Sequence, residues 1–310
     1  MARSYFLYLL IGLLCTGATC ERPVDLDLDI PPPRLVIVSN FTPGEKVQVQ
    51  VSKSQNILDE SPAEYLATAD VGIYQDGKLI ERLDLVIDPA GRTPPYYITP
   101  TFEPEPAITY TIKAEAEGFE PAMAHSFIPA PVAIGEFSVS EVMVGPGPNS
   151  YQETYSYQVF LSFEDPDDEV NYYHLNFYQE VFSYMNSEAG DTIILDKKLE
   201  PVQFDGLNGT DFIRSFLGGG ILLKDNPFAD GVSFSFSLSI SPEFEFLGKV
   251  FAELRTVSEE YYLFHTSISR SQNQSDGPFT NPVAIFNNVE NGHGVFAGYN
   301  TAQDSIKLNI

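Results

Sequence analysis

Tryptophan is absent, and cysteine occurs only twice, as Cys15 and Cys20. Both sit at the front of the chain, so no disulfide can staple the rest, and stability has to come from packing. Basic residues are scarce: 17 Lys and Arg stand against 43 Asp and Glu, a formal charge of −26. A field of that sign repels nucleic acid and anionic lipid, which excludes both as partners. It leaves room for cationic partners at most, and a solvated acidic surface is its plainest use. The four histidines, His125, His174, His265 and His293, are scattered, with no pair at ligand spacing and no H-E-x-x-H, so a zinc site is not expected. There is no G-x-S-x-G elbow. Gly218-Gly219-Gly220 lacks the Lys-Ser/Thr of a phosphate loop and reads as a bend or a flexible loop. No internal repeat of solenoid or propeller type is visible. After the first twenty or so residues, no apolar run reaches the roughly 20 residues of a membrane-spanning helix.

What is present begins with Met1 to Cys20. Arg3 gives a short positive start, and Tyr5 to Leu14 runs apolar, broken only by Gly12. That run has the size of a secretory h-region. Thr16-Gly17-Ala18-Thr19 supplies small residues, and Cys20 follows. Two readings fit. In the first, residues 1–19 are a lipoprotein signal and Cys20 is the acylated first mature residue, although Gly17 and Thr19 stand where a lipobox prefers Leu and a smaller residue. In the second, an ordinary signal is cut near Ala18 and Cys20 is a free thiol. With two or more acyl chains, each buried methylene contributing about 0.8 kcal/mol, the first reading means durable anchoring. Residues 20–33 form a tether. Asp25, Asp27 and Asp29 alternate with Leu26, Leu28 and Ile30, and Pro31-Pro32-Pro33 favours a stiff extended segment.

The remainder reads as mainly β, in two parts. Residues 34–129 carry about seven short strands in about 95 residues, which suits an immunoglobulin-like sandwich. The strands are Leu35 to Val38, the alternating Val47, Val49 and Val51, the Asp76-Gly77 hairpin between Val71–Tyr74 and Leu79–Leu83, Tyr96 to Ile98, Tyr110 to Ala116, and Ala122 to Ile128. A helical turn is expected at Pro62 to Ala67. Pro129-Ala130-Pro131 reads as a hinge. Residues 130–310 then form a second, larger antiparallel β domain with one or two short helices. Its strands are read at Phe137–Met143, Tyr155–Phe163, Asn171–Phe182, Thr192–Leu195, Val232–Ile240, Val283–Phe286 and Gly294–Tyr299. Val232 to Ile240 is the clearest, with apolar residues at every second position and serines between them. One helix is read after Ser258, with Glu259 and Glu260 in its first turn and Tyr261, Phe264 and Ile268 on one stripe.

Chemistry is harder to find. Glu164-Asp165-Pro166-Asp167-Asp168-Glu169 is the densest carboxylate cluster. It makes Asp165, Asp167 and Asp168 weak calcium candidates, and it is the one place for acid–base work, but an acidic turn between aromatic strands explains it equally. Tyr172, Tyr173, Tyr178 and Tyr184 are candidates for stacking on sugars, or for core packing. No cofactor is implied, and no catalytic constellation stands out, so enzymatic activity is not expected.

Taken in order, several motifs resemble one family. They are Cys20 with its acidic, proline-bearing lead; Leu35–Val38 with Pro43-Gly44; Phe163-Glu164-Asp165-Pro166 leading to Asn171-Tyr172-Tyr173; Glu260-Tyr261-Tyr262; Pro278-Phe279 to Pro282-Val283; Asn287-Asn288-Val289; and Asn291-Gly292-His293-Gly294-Val295-Phe296-Ala297-Gly298-Tyr299. Together they resemble the Bacteroidota outer-membrane lipoproteins of the domain-of-unknown-function family four-two-four-nine. The resemblance implies Cys20 lipidation, an outer-membrane location at the surface of a Gram-negative cell, and an accessory role beside a SusC-like TonB-dependent β-barrel receptor. It brings no catalytic residues. Asp191-Thr192-Ile193 and Asp304-Ser305-Ile306 resemble Bacteroidota O-glycosylation sites at Thr192 and Ser305. The expected function is an accessory lipoprotein in nutrient uptake or envelope assembly. The alternatives are a glycan- or peptide-acting hydrolase using the Glu164–Glu169 cluster, and an adhesin-like binding module.

Overall fold

The computed structural model describes residues 31–309, apart from 57–58, 60, 167–168, 188–189, 203–211, 226–227, 229–230 and 273–282. The expected signal, Cys20 and the tether as far as residue 30 lie outside the described residues, as do Asp167 and Asp168.

Alternation of apolar and polar side chains sets most of the strands. β1 (Leu35–Phe41) and β2 (Gln48–Lys53) bury Leu35, Ile37, Val49 and Val51 on one face. β3 (Asp70–Gln75) and β4 (Lys78–Arg82) turn at Asp76 and Gly77, whose φ values of 50° and 75° suit a two-residue hairpin turn. β5 (Asp84–Val86), β6 (Tyr96–Ile98), β7 (Thr109–Glu115) and β8 (Ala122–Phe127) complete the first segment. Then come β9 (Ile134–Val139), β10 (Met143–Pro146), β11 (Glu153–Phe163), β12 (Tyr172–Asn186), β13 (Thr192–Pro201), β14 (Phe212–Arg214), β15 (Ile221–Lys224), β16 (Val232–Ile240) and β17 (Glu245–Val257). Helix α1 (Glu259–Gln272) and the long β18 (Gly292–Lys307) end the chain. In β16, Phe234, Phe236 and Ile240 are buried, while the wet face carries hydroxyl pairs with β11, Ser156–Ser237 at 3.0 Å and Thr154–Ser239 at 2.8 Å. No helix among the described residues is long and apolar enough to cross a membrane.

The fold is mainly β. A ten-stranded sheet runs β14-β15-β12-β17-β18-β1-β2-β6-β5, with β13 added to β12. Two four-stranded sheets accompany it, β4-β3-β7-β8 and one in which β11 pairs with β9, β10 and β16. The first core, between β1-β2-β6-β5 and β4-β3-β7-β8, is an immunoglobulin-like sandwich. The second lies between β12-β17-β18 and the β11 sheet. Side-chain parity along β18 shows that both small sheets cover one face of the large sheet. Phe296 enters the first core and Ile306 packs on the second, whereas Val295, Ala297 and Tyr299 point the opposite way, toward α1.

The hinge at Pro129-Ala130-Pro131 falls between the two cores but does not divide the chain into two units: Pro33–Ile310 forms one. β18 is the reason. Its first half pairs in parallel with β1, from Leu35 opposite Gly292 to Phe41 opposite Gly298. Its second half pairs antiparallel with β17, from Val257 opposite Tyr299 to Lys249 opposite Lys307. Three local expectations are corrected. Pro62–Ala67 makes no helical turn, because Tyr65 bridges to Ser52 of β2. Phe137–Met143 is split between β9 and β10. Val283–Phe286 is no strand; the Phe286 N–H instead donates to Ser267 Oγ of α1 at 3.0 Å.

The parallel pair constrains the Asn291–Tyr299 motif. Gly294 has φ +112°, and a Cβ there would lie 2.0 Å from the Ile37 carbonyl oxygen. Gly294→Ala is expected to lower stability by about 3 kcal/mol in urea unfolding. Gly145→Ala, with nothing within 4 Å of its added Cβ, is expected to change it by less than about 0.5 kcal/mol.

Candidate functional site

The second half of β18 places a polar row on the α1 side of the large sheet. Because side chains alternate, His174, Arg255 and Thr301 fall in one cross-strand line. Asn176, Glu253 and Gln303 fall in the next. Helix α1 lies over one end of this surface. Ser258 caps it, its carbonyl accepting from the Tyr262 N–H at 3.1 Å and its hydroxyl from the Tyr261 N–H at 3.4 Å. The i, i+4 spacing then stacks Tyr261 on His265, ring centroids 4.0 Å apart, both buried against the sheet.

These groups form a directed chain of hydrogen bonds. His174 Nε2 lies 2.7 Å from the Gly219 carbonyl, which can only accept, so Nε2 carries the proton. His174 Nδ1 is therefore the acceptor, and Tyr261 OH donates to it at 2.9 Å. Tyr261 OH in turn accepts from Arg255 Nη1 at 3.4 Å. Burial pushes the His174 imidazole down to about 4, helped by the charge of Arg255. Burial, then His174 and Arg255, push His265 down to about 3. Both rings are neutral at pH 7. Arg255 keeps its charge against the cost of burial because the Tyr261 phenol and the Glu253 carboxylate hold its pKa above the ordinary arginine value.

Beyond the helix the row opens into a cleft of about 430 Å³, lined by Thr42, Glu45, Glu253, Arg255, Tyr299 and Thr301, with Pro43, Asn300 and Gln303 beside them. Arg255 Nε is 2.8 Å from Glu253 Oε1, and the guanidinium lies 4.8 Å from the Tyr299 ring centroid. Gln303 Nε2 donates to Glu253 Oε2 at 3.0 Å. The floor is thus one fixed cation beside one fixed carboxylate.

A different surface lies at the far end of β12. β13 lies along the edge of β12, from Thr192 opposite Asn186 to Pro201 opposite Tyr178, and is exposed along nearly its whole length. Met185, Ile193, Ile194, Leu195, Leu199, Phe244 and Phe246 are each at least 40% exposed there. Among the described strands β13 pairs only with β12, so its other edge is open.

A family model described as Domain of unknown function (DUF4249) matches residues 21–305. The chain belongs to that family. No curated protein matches it. Among solved structures, the crystal structure of the titin domains z1z2 in complex with telethonin aligns over 89% of this chain and 97% of that one, at 12% identity and a TM-score of 0.21. A score so low carries no argument.

In this DUF4249 chain the residues singled out from sequence scatter. Asp165 accepts a short hydrogen bond from the core phenol Tyr173, whose pKa is raised by burial and by that carboxylate. Among the described residues no three His, Cys, Asp or Glu side chains are placed to hold a metal ion. Of the four tyrosines, Tyr173 is fully buried, Tyr172 packs on Tyr262, Tyr178 is half-buried, and Tyr184 donates to the Pro242 carbonyl. All four are at least partly buried. His125 and His293 are exposed on β8 and β18, Thr192 is exposed at the start of β13, and Ser305 is half-buried. The triple glycine is a bend with three positive φ values. A Cβ on Gly220 would sit 2.1 Å from Asn176 Oδ1, and the bend aims the Gly219 carbonyl at His174.

Sequence reasoning missed Arg255 and Glu253 because β17 was not read as a strand. The signal was there: two opposite charges, two residues apart, inside Val250–Val257. The pairing of His174 with His265, ring centroids 6.1 Å apart, had no local signal.

The neutral histidines give a pH dependence. Their folded pKa values lie below the ordinary 6.5, so the unfolded chain binds more protons in the window below 6.5. Stability is expected to fall as pH drops from about 6.5 toward 4, by up to about 1.4 kcal/mol per pH unit for each histidine. Urea midpoints at pH 7 and pH 5 read this out, and His265→Phe, which keeps the ring on Tyr261, is expected to flatten the slope.

Proposed function

We propose that this protein is a lipid-anchored outer-membrane lipoprotein that partners a SusC-like TonB-dependent β-barrel receptor at the cell surface, in nutrient uptake or envelope assembly. The observation that carries the reading is the exposed edge strand β13. An open edge strand flanked by Ile193, Leu195 and Leu199 is a ready surface for another protein. Within β13 the charges Asp196, Lys197, Lys198 and Glu200 cancel, so this strand, with Ile193, Ile194, Leu195 and Leu199 exposed on it, is a neutral island on a chain of charge −26. Such an island suits a protein contact better than contact with lipid headgroups. The anchor rests on the sequence from Met1 to Cys20, where a short apolar run and small residues lead to a cysteine. The acidic lead after Cys20 and the resemblance to surface lipoproteins support the side of the membrane.

Two experiments test this. Solubilised from native membranes in mild detergent, a tagged copy is expected to carry a β-barrel receptor in equal amount. Leu195→Asp with Leu199→Asp, both more than half exposed, is expected to cut that recovery about tenfold or more while leaving the urea midpoint unchanged. Recovery of the wild-type protein alone would refute the partnership. Separately, Cys20→Ala added to the Leu195→Asp, Leu199→Asp variant is expected to move the protein from the membrane to the soluble fraction, and retention in the membrane would refute the lipid anchor.

A further inference from the structure

We propose that the Arg255 cleft binds a small zwitterion of the amino-acid or dipeptide class, its carboxylate on the Arg255 guanidinium and its ammonium toward Glu45. The inference goes beyond the accessory role and does not depend on the receptor partner.

The floor has unused donors. A guanidinium has five N–H groups. In the described contacts of Arg255, Nη1 donates to Tyr261 OH at 3.4 Å, and Nε, buried and 2.8 Å from Glu253 Oε1, is off the hydrogen-bond direction and makes no hydrogen bond. The side chain is 25% exposed, so part of the fork reaches the cleft. It is also held still. The Tyr299 ring lies against it, and Glu253 is fixed in turn by Gln303 at 3.0 Å and Asn176 at 3.4 Å. A planar fork already oriented and partly desolvated is suited to a carboxylate, which it can engage through two parallel bonds.

The rim decides the class. Glu45, on the loop between β1 and β2, is exposed and makes no ion pair or hydrogen bond among the described residues. The cleft therefore presents one guanidinium and two carboxylates. A bare anion such as phosphate meets Arg255 but is opposed by Glu45, Glu253 and the field of the whole chain. A neutral sugar uses neither charge. A molecule with a carboxylate at one end and an ammonium at the other answers both. The volume, about 430 Å³, lies in the range of about 300–1,000 Å³ typical of small-ligand pockets. Thr42, Thr301 and Gln303 offer further polar groups to a peptide backbone.

The test is calorimetric titration of the detergent-solubilised full chain with alanyl-alanine, its N-acetyl form, its C-terminal amide, inorganic phosphate and maltotriose. Alanyl-alanine is expected to bind one to one, and blocking either end to weaken it about tenfold. Glu45→Gln, at an exposed position that leaves the fold intact, is expected to weaken alanyl-alanine severalfold and to erase the penalty of N-acetylation. Arg255→Lys is expected to erase the penalty of the amide. Coupling of each variant to one end of the ligand is a readout that loss of folding does not reproduce. No saturable binding of alanyl-alanine, affinity indifferent to both blocking groups, or tighter binding of phosphate or maltotriose would overturn the proposal.

Discussion

The parallel pairing of β1 with β18 is the constraint on which the other parts depend. It joins the first strand to the last, and it turns two sandwiches into one large sheet with both small sheets on the same face. The hydrogen bonds impose a close approach: Gly292 and Gly294 lack a Cβ where the carbonyls of Leu35 and Ile37 lie. Without that contact the first core would lose Phe296, which stacks on Phe41 with centroids 4.4 Å apart. Closing a loop of nearly the whole chain before these contacts can form also marks a slow-folding topology.

The same strand organises the polar side. Once β18 has crossed from β1 to β17, its odd-numbered residues continue the helix-facing surface, and Tyr299, Thr301 and Gln303 line up with Arg255 and Glu253. Buried polar groups in such a place are costly unless partnered. Here the partners are shared in sequence, from Arg255 through Tyr261 and His174 to the Gly219 carbonyl. The neutral state of both imidazoles is part of this arrangement, because burial disfavours their charged forms and the charge of Arg255 adds to that. Among the described residues Ser39 Oγ, His265 Nδ1 and Arg255 Nε are buried without a hydrogen bond, and of these three side chains only that of Arg255 lines the cleft.

The proposed partner surface and the proposed ligand cleft are built differently, as their tasks require. The β13 strand is neutral, exposed and open along one edge. The cleft is polar, partly desolvated and fixed by cross-strand neighbours. Both lean on β12 and β17, the first at one end of the pair and the second toward the other, so the two strands connect the surfaces without placing them side by side.

By itself the sequence determined what period and turn chemistry can carry. The mainly β class, the Asp76-Gly77 hairpin, the buried face of Val232–Ile240 and the Ser258-capped helix are local, and each follows from residues within a few positions of one another. The family resemblance was legible in the Asn291–Tyr299 glycines, although their reason, a carbonyl of β1 against Gly292 and Gly294 and one of β8 against Gly298, was not. Tertiary structure alone decided that β18 would span both segments, that His174 would meet His265 and Tyr261, and that Arg255 would floor a cleft with Glu45 on its rim. Those outcomes rest on strand register between residues tens to hundreds of positions apart. Periodicity shows which face a residue takes on its own strand, but only the assembled sheet selects the neighbour across from it.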